Sequence, residues 1–398
     1  MKKRVSALLL LALLTGTVAC SALAEPSSDT TPATEGTGTP EPQPVSSADA
    51  ETAPAESEDP YYFRDKVSET VLRNYLSRAV TVSSENGEMN PNNTAMYEFI
   101  LHTGAKYIAR ANTEWSPSAS NAESRPVQKA FIDKVHEKDP DVVFEACIFE
   151  CISKKVNDIP IPACVFEAFG KTPEERNFSF DKMKFRDGRF KDQWGTDTTV
   201  PDVTQEETQM FFYCRACEFI DAGFEGFHMG QVELMGQLDT KHQSYTKLLT
   251  MIRAYAKEHA RRGFVFFNAH TPGIMGSDGV LLLDFHGYPS PLVANRSEGA
   301  HRPTEDFPQG VEFRRGATYS IIGKSLGGMT YSGWECDSLP YLIELDNNGV
   351  DMAHLNEPTS MLWGMDQITW FANQPASYRR SFLRYALEWI GSQPDGCG

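Results

Sequence analysis

The chain has 398 residues, 54 acidic against 37 basic, and a formal charge of −17. Such a balance repels phosphate backbones and anionic lipid, so nucleic acid and membrane surfaces are excluded as principal ligands. Hydrophobic residues make up 40% of the chain, enough for a sizeable core, so a folded domain is expected behind whatever processing segments it carries.

The first twenty residues read MKKRVSALLLLALLTGTVAC. Three basic residues before a short apolar run form the pattern of an export signal, too short for a membrane span. Two processing routes fit residues 1–24. TVAC resembles the lipobox of bacterial lipoproteins, with Cys20 as the lipidated residue, and Ala22-Leu23-Ala24 is a small-x-small site for cleavage after Ala24. Either route predicts an exported bacterial protein, secreted or tethered to the membrane only through that lipid. Residues 25–59 are rich in Pro, Ser, Thr and Ala, hold nine acids, and lack Lys, Arg and aromatics. Such a segment cannot bury enough apolar area to offset its ordering entropy, which predicts a disordered linker. Without its nine acids and the three basic residues of the signal, the rest of the chain still carries −11.

From residue 60 to 398, short apolar runs alternate with helical patterns. AVTV (79–82) precedes a helix ending at Gly104, and KYIARA (106–111) precedes one that stops before Pro140. DVVFEACIF (141–149) is the third strand. Thr204-Gln-Glu-Glu207 reads as a capping box opening a helix closed by Gly223. FEGFHM (224–229) follows, then a helix over 241–262, then FVFFN (264–268), LLLDFH (281–286), YLIELD (341–346) and QITWF (367–371) as strands. A last helix is expected over 377–390. Eight strands in β-then-α order, each a nearly continuous apolar run, predict a single (β/α)8 TIM barrel, with an open sheet covered on both faces as the alternative. Seven cysteines beyond Cys20 are an odd set in a large chain, so no disulfide framework follows, and Cys214-x-x-Cys217 reads as core.

In such a barrel, chemistry sits at the C-terminal strand ends. Read in order, those ends carry Arg110 and Asn112; Glu145 and Glu150; His228, Gln231 and Glu233; Asn268 and His270; Asp284 and His286; Glu344 and Asp346; and Trp370. Residues two apart on a strand share a face, and several of these pairs obey that spacing. The convergence of polar groups on consecutive strand ends carries the inference, rather than any one motif.

This arrangement resembles the retaining glycosidases of the (β/α)8-barrel type, which carry their acid/base after strand four and their nucleophile after strand seven. The resemblance covers roughly 65–391 in topology. It implies Glu233 as acid/base and Glu344 as nucleophile, with Asp346 and Glu335 as rival strand-seven acids and Trp370 as the floor of a sugar subsite. Those families place an amide directly before the acid, whereas here Gln231 stands two residues back. Arg110, His228, Gln231, Asn268, His270, Asp284, His286 and Trp334 are expected to hold an oligo- or polysaccharide, and no cofactor or metal is implied. Cleaving a glycosidic bond needs one protonated and one ionised carboxyl on either side of the sugar, and aromatic faces on which it stacks. Trp334, Trp363 and Trp370, with Tyr331 and Tyr341, are the aromatic candidates.

Two other readings stand beside this one. His228, His270, Asp284 and His286 are residue types that hold zinc, which would suit a metal-dependent hydrolase, although no His-x-His pair marks the first strand. A non-catalytic lipoprotein that captures a glycan would need the aromatics without the two carboxylates. Gly323-Lys-Ser325-Leu-Gly327 matches G-x-S-x-G, but no strand-to-helix turn supports a nucleophile elbow, and GKSLGG lacks the spacing of a phosphate loop.

Overall fold

The computed structural model describes residues 58–82, 88–294, 310–315, 324–346 and 365–393. The signal with Cys20, all but the last two residues of the 25–59 linker, Gly323, Trp363 and Cys397 lie outside the described residues.

Helix α1 (Glu69–Leu76) opens on Ser68, whose Oγ accepts the Val71 N–H. It leads into β1 (Ala79–Thr81), and α2 (Thr94–Thr103) then ends on Gly104 in the left-handed conformation, φ 63°. Next come β2 (Tyr107–Asn112), α3 (Arg125–His136) and β3 (Val143–Cys147). A long connection leads to α4 (Glu206–Asp221), followed by β4 (Gly226–His228), α5 (Gln243–His259) and β5 (Phe266–Asn268). These five strands pair in chain order, β1-β2-β3-β4-β5, and every pairing is parallel. The next parallel pair is β6 (His286–Pro289) with β7 (Tyr341–Glu344). Backbone hydrogen bonds from Asp284 N–H to Phe267 O (2.9 Å) and Gly287 N–H to Ala269 O (3.1 Å) join β5 to the β6 segment.

Alternation along the strands sorts the core into two layers. Ile108, Phe144, Phe227 and Phe267 pack outward with Phe131 and Ile132 of α3, Phe212 and Phe219 of α4, and Leu248 and Ile252 of α5. Tyr107, Val143, Phe266 and Phe285 pack inward with Phe63, Leu72 and Tyr75. The sheet also rolls, because the Thr81 hydroxyl at the end of β1 donates to Glu344 at the end of β7 over 2.9 Å. The result is a mixed α/β fold around a rolled parallel sheet. Among the described residues, β7 and β1 meet through this side-chain bond and no strand ladder closes the roll.

Three expectations need correction. The eighth strand is a helix: QITWF belongs to α6 (Gln367–Ala372), whose cap Asp366 accepts the Thr369 N–H at 2.8 Å. The sixth strand begins at His286, where it was expected to end, because Val280–Leu281 pairs with Gly328–Thr330 instead. The capping box does not form. Asp202 accepts the Thr204 N–H and hydroxyl, while Glu207 is held by Arg176 at 2.7 Å and the Ser179 N–H at 2.9 Å. The final helix, α7 (Ala376–Gly391), packs Phe382 and Tyr378 around Trp370 in a separate small core.

Candidate active site

Above the inward apolar layer, the next inward positions of the strands are polar. On β2 the backbone register slips between Ile108 and Asn112, and Arg110 takes φ 50°, a left-handed conformation unfavourable for a long side chain. Its own N–H, donated to Glu145 Oε1 at 3.0 Å, helps hold that conformation. Left-handed backbone at a non-glycine residue is the kind of strain that clusters at functional sites.

Glu145 of β3 is fully buried, and its Oε2 accepts the Tyr107 hydroxyl at 2.7 Å and the Asn268 amide. Burial pushes its pKa up to about 7, against the pull of those three donors. Because Asn268 spends its amide N–H on Glu145, its carbonyl oxygen faces His228 Nδ1 at 2.6 Å, which places the histidine proton on Nδ1. Burial then holds His228 well below the usual histidine range, so it is neutral.

Arg110 bridges the two acids of the β7 end. It pairs with Glu344 and lies 3.8 Å from an Asp346 oxygen, and its Nη2 donates to His270 Nε2 at 2.8 Å. Burial raises the Glu344 pKa, but the Arg110 cation, the His270 hydrogen bond and the neighbouring imidazoles together outweigh it and hold Glu344 at about 2.

A cleft of about 1180 Å³ opens over these strand ends. Its walls include Arg110, His270, Asp346, Glu150, Gln231 and Glu233, with Trp115, Phe149, Trp194 and Tyr288 as aromatic faces. Glu150 is pinned by Gln231 through its side-chain amide at 2.7 Å and its N–H at 3.0 Å. Gly230 takes φ 59°, and a Cβ there would displace the Glu150 carboxylate. Glu233 lies in a one-turn helix, Val232–Met235, beyond the end of β4, and accepts the Thr271 hydroxyl at 2.7 Å.

The structure thus gathers Arg110, His228, Gln231, Glu233, Asn268, His270, Glu344 and Asp346, and places the other expected site residues elsewhere. Glu344 is among those gathered but does not line the cleft, whereas Asp346 does. Asp284 faces α5, accepting Arg253 at 3.2 Å and the Phe267 N–H at 2.8 Å. His286 is fully buried beside the Tyr341 ring with neither nitrogen bonded, and burial lowers it to about 3. Trp334 donates its indole N–H to Val67 O at 2.9 Å, and Glu335 beside it is exposed. Trp370 is core, with ring centroids 5.2 Å from Phe382 and 5.9 Å from Tyr378. Ser325 is buried and donates to Leu339 O. With Asp284 committed to Arg253, the His228, His270, Asp284 and His286 set does not converge. Among the described residues no group of three or more His, Cys, Asp or Glu is arranged to hold a metal ion.

Residues not singled out for the site also shape it. Glu145 and Glu150 stand at the end of the expected third strand, and that position was the available signal. Trp115 and Trp194 lie in connections where the sequence carries no periodicity to place them.

No family model and no curated protein matches the sequence. Among solved structures, two of a GH27 β-L-arabinopyranosidase from Geobacillus stearothermophilus, one a variant in complex with arabinose, are 14% identical, with TM-scores of 0.31 and 0.32. The matches cover 52% and 54% of both chains, so this chain spans about half the length of those enzymes. A variant of the glycoside hydrolase domain of PelA from Pseudomonas aeruginosa is 10% identical, with a TM-score of 0.28, over 56% of this chain and 71% of that one.

Proposed function

We propose that this protein hydrolyses glycosidic bonds in the cleft above the strand ends, with Glu233 and Asp346 as the two carboxyl groups. The observation that supports this most is their placement. Both line one cleft, from the connections after β4 and β7, which the strand order sets on opposite sides of the roll. Glycoside cleavage needs that division: a general acid at the leaving oxygen and a carboxylate across the ring. Asp346 replaces Glu344 in this role because Glu344 is closed off beneath Arg110. Glu344 then serves as the counter-charge that keeps Arg110 beside Asp346.

In the proposed sequence the Asp346 carboxylate attacks the anomeric carbon while Glu233 gives its proton to the leaving oxygen. Glu233 then takes a proton from the water that releases the sugar, so the anomeric configuration is retained. His270 and Gln231 offer polar contacts to hydroxyls, and Tyr288 an aromatic face. As an exported protein, secreted or anchored through Cys20, it would act on an extracellular glycan. The test is turnover of aryl glycosides and oligosaccharides by wild type, Glu233→Gln and Asp346→Asn. Losses of about 10²–10⁴-fold are expected in both variants, and full activity in either removes that residue from the mechanism.

A further inference from the structure

We infer that Trp115, Phe149 and Trp194 form a second sugar subsite at the rim of the cleft, so that the protein binds an oligosaccharide chain rather than a single sugar. This rests on the glycosidase reading above and extends it to the length of the substrate. The three rings form one corner: Trp115 lies 5.2 Å from Phe149 and 5.3 Å from Trp194, in tilted and edge-on contacts. Yet Trp115, at the centre of the corner, remains 40% exposed and lines the cleft.

The fold invests in holding this corner. Glu114, next to Trp115, is buried and bound by Arg125 at 2.7 and 2.8 Å and by Arg215. Trp194 is tied by its indole N–H to Glu150 O at 3.3 Å and by its backbone N–H to the Thr198 hydroxyl at 3.0 Å. Its loop holds Phe190 in left-handed backbone, φ 60°, an unfavourable conformation for an aromatic residue.

The corner stands over β2 and β3, whereas Asp346 and Tyr288 stand over β7 and β6, on another sector of the rolled sheet. A cleft of about 1180 Å³ exceeds the roughly 300–1,000 Å³ that encloses one drug-sized ligand. The exposed Trp115 ring, flanked by half-buried Phe149 and Trp194 and beside the polar edges of Glu150 and Gln231, matches a pyranose, which offers an apolar face and a rim of hydroxyls. Net acidity of the walls favours a neutral chain over an anionic one.

Intrinsic tryptophan fluorescence tests this by binding, independently of turnover. Wild type, Trp115→Ala and Trp194→Ala are titrated with glucose, xylose, mannose, galactose and N-acetylglucosamine. The same proteins are titrated with hexasaccharides of starch, cellulose, xylan, mannan, galactan and chitin type, each variant being checked for an unchanged melting curve. At least one hexasaccharide is expected to bind wild type, and one or both variants to bind it about tenfold more weakly, while the matching monosaccharide is bound equally by all three. Equal hexasaccharide binding by wild type and both variants, or no hexasaccharide binding at all, overturns the subsite. Length-selective binding without hydrolysis would leave the subsite standing and defeat the catalytic reading. Hydrolysis with no Trp115 or Trp194 effect would do the reverse.

Discussion

Replacing Glu145 by glutamine removes a charge that the fold carries at a cost above neutral pH. The carboxyl is fully buried, and burial raises its pKa from an ordinary 4.5 to about 7. That gap corresponds to roughly 3 kcal/mol, at about 1.4 kcal/mol per pH unit. The sign follows from the direction of the shift. The folded state binds the proton more tightly than the unfolded state, so the contribution is fully present below pH 4.5 and lost as pH rises through about 7. Between pH 5 and pH 8 the wild type should therefore lose roughly 2–3 kcal/mol that Glu145→Gln retains. Urea denaturation of both proteins across that range gives the difference directly, and other titrating groups largely cancel. Parallel curves would refute a dry, raised-pKa carboxyl at this position. The substitution also reaches His228. With the new amide oxygen kept on the Arg110 N–H, its amide nitrogen faces Asn268, which must turn its carbonyl inward. The His228 proton should then move from Nδ1 to Nε2, a change that ¹⁵N chemical shifts of the imidazole report.

Glu344 should behave in the opposite sense. Arg110 and the His270 hydrogen bond, with the neighbouring imidazoles, hold its pKa at about 2 despite burial, so its contribution is present above pH 4.5 and lost as pH falls through about 2. Glu344→Gln should flatten the acid limb of the stability curve, and an unchanged limb would place Glu344 outside that ion pair. Glu114→Gln should destabilise by about 3 kcal/mol, since Arg125 and Arg215 lose the carboxylate they share in the interior. A loss under about 1 kcal/mol by urea titration would mean that the pair is solvated.

How much of this was legible depends on where each residue's partners lie in the chain. The first five strands fell where apolar runs placed them, because parallel strands covered on both faces need such runs. Reading the strand ends in order also placed His228, Asn268 and His270 in one set. QITWF failed because its β-rich composition outweighed a local signal, Asp366 three residues before Thr369, that caps a helix. Once the segment is helical, Trp370 turns into the small core of α6 and α7 instead of the cleft. Asp284 failed for another reason: its neighbour Arg253 is 31 residues away on α5, and no local pattern announces that pairing. The aromatic walls are set by the buried ion pairs of Glu114 and by the strained loop of Trp194. Both are tertiary effects, and of the tryptophans chosen from the sequence, Trp334 and Trp370 are used by packing.

The most direct test of the central claim is the fate of the anomeric carbon in the presence and absence of the Asp346 carboxylate. Wild type should cleave at least one aryl glycoside of a broad panel, with a first product of retained configuration by proton NMR. Asp346→Asn should lose that activity and regain part of it when azide is supplied as an external nucleophile. Undiminished hydrolysis by Asp346→Asn, or no hydrolysis of any glycoside by folded wild type, would contradict the account.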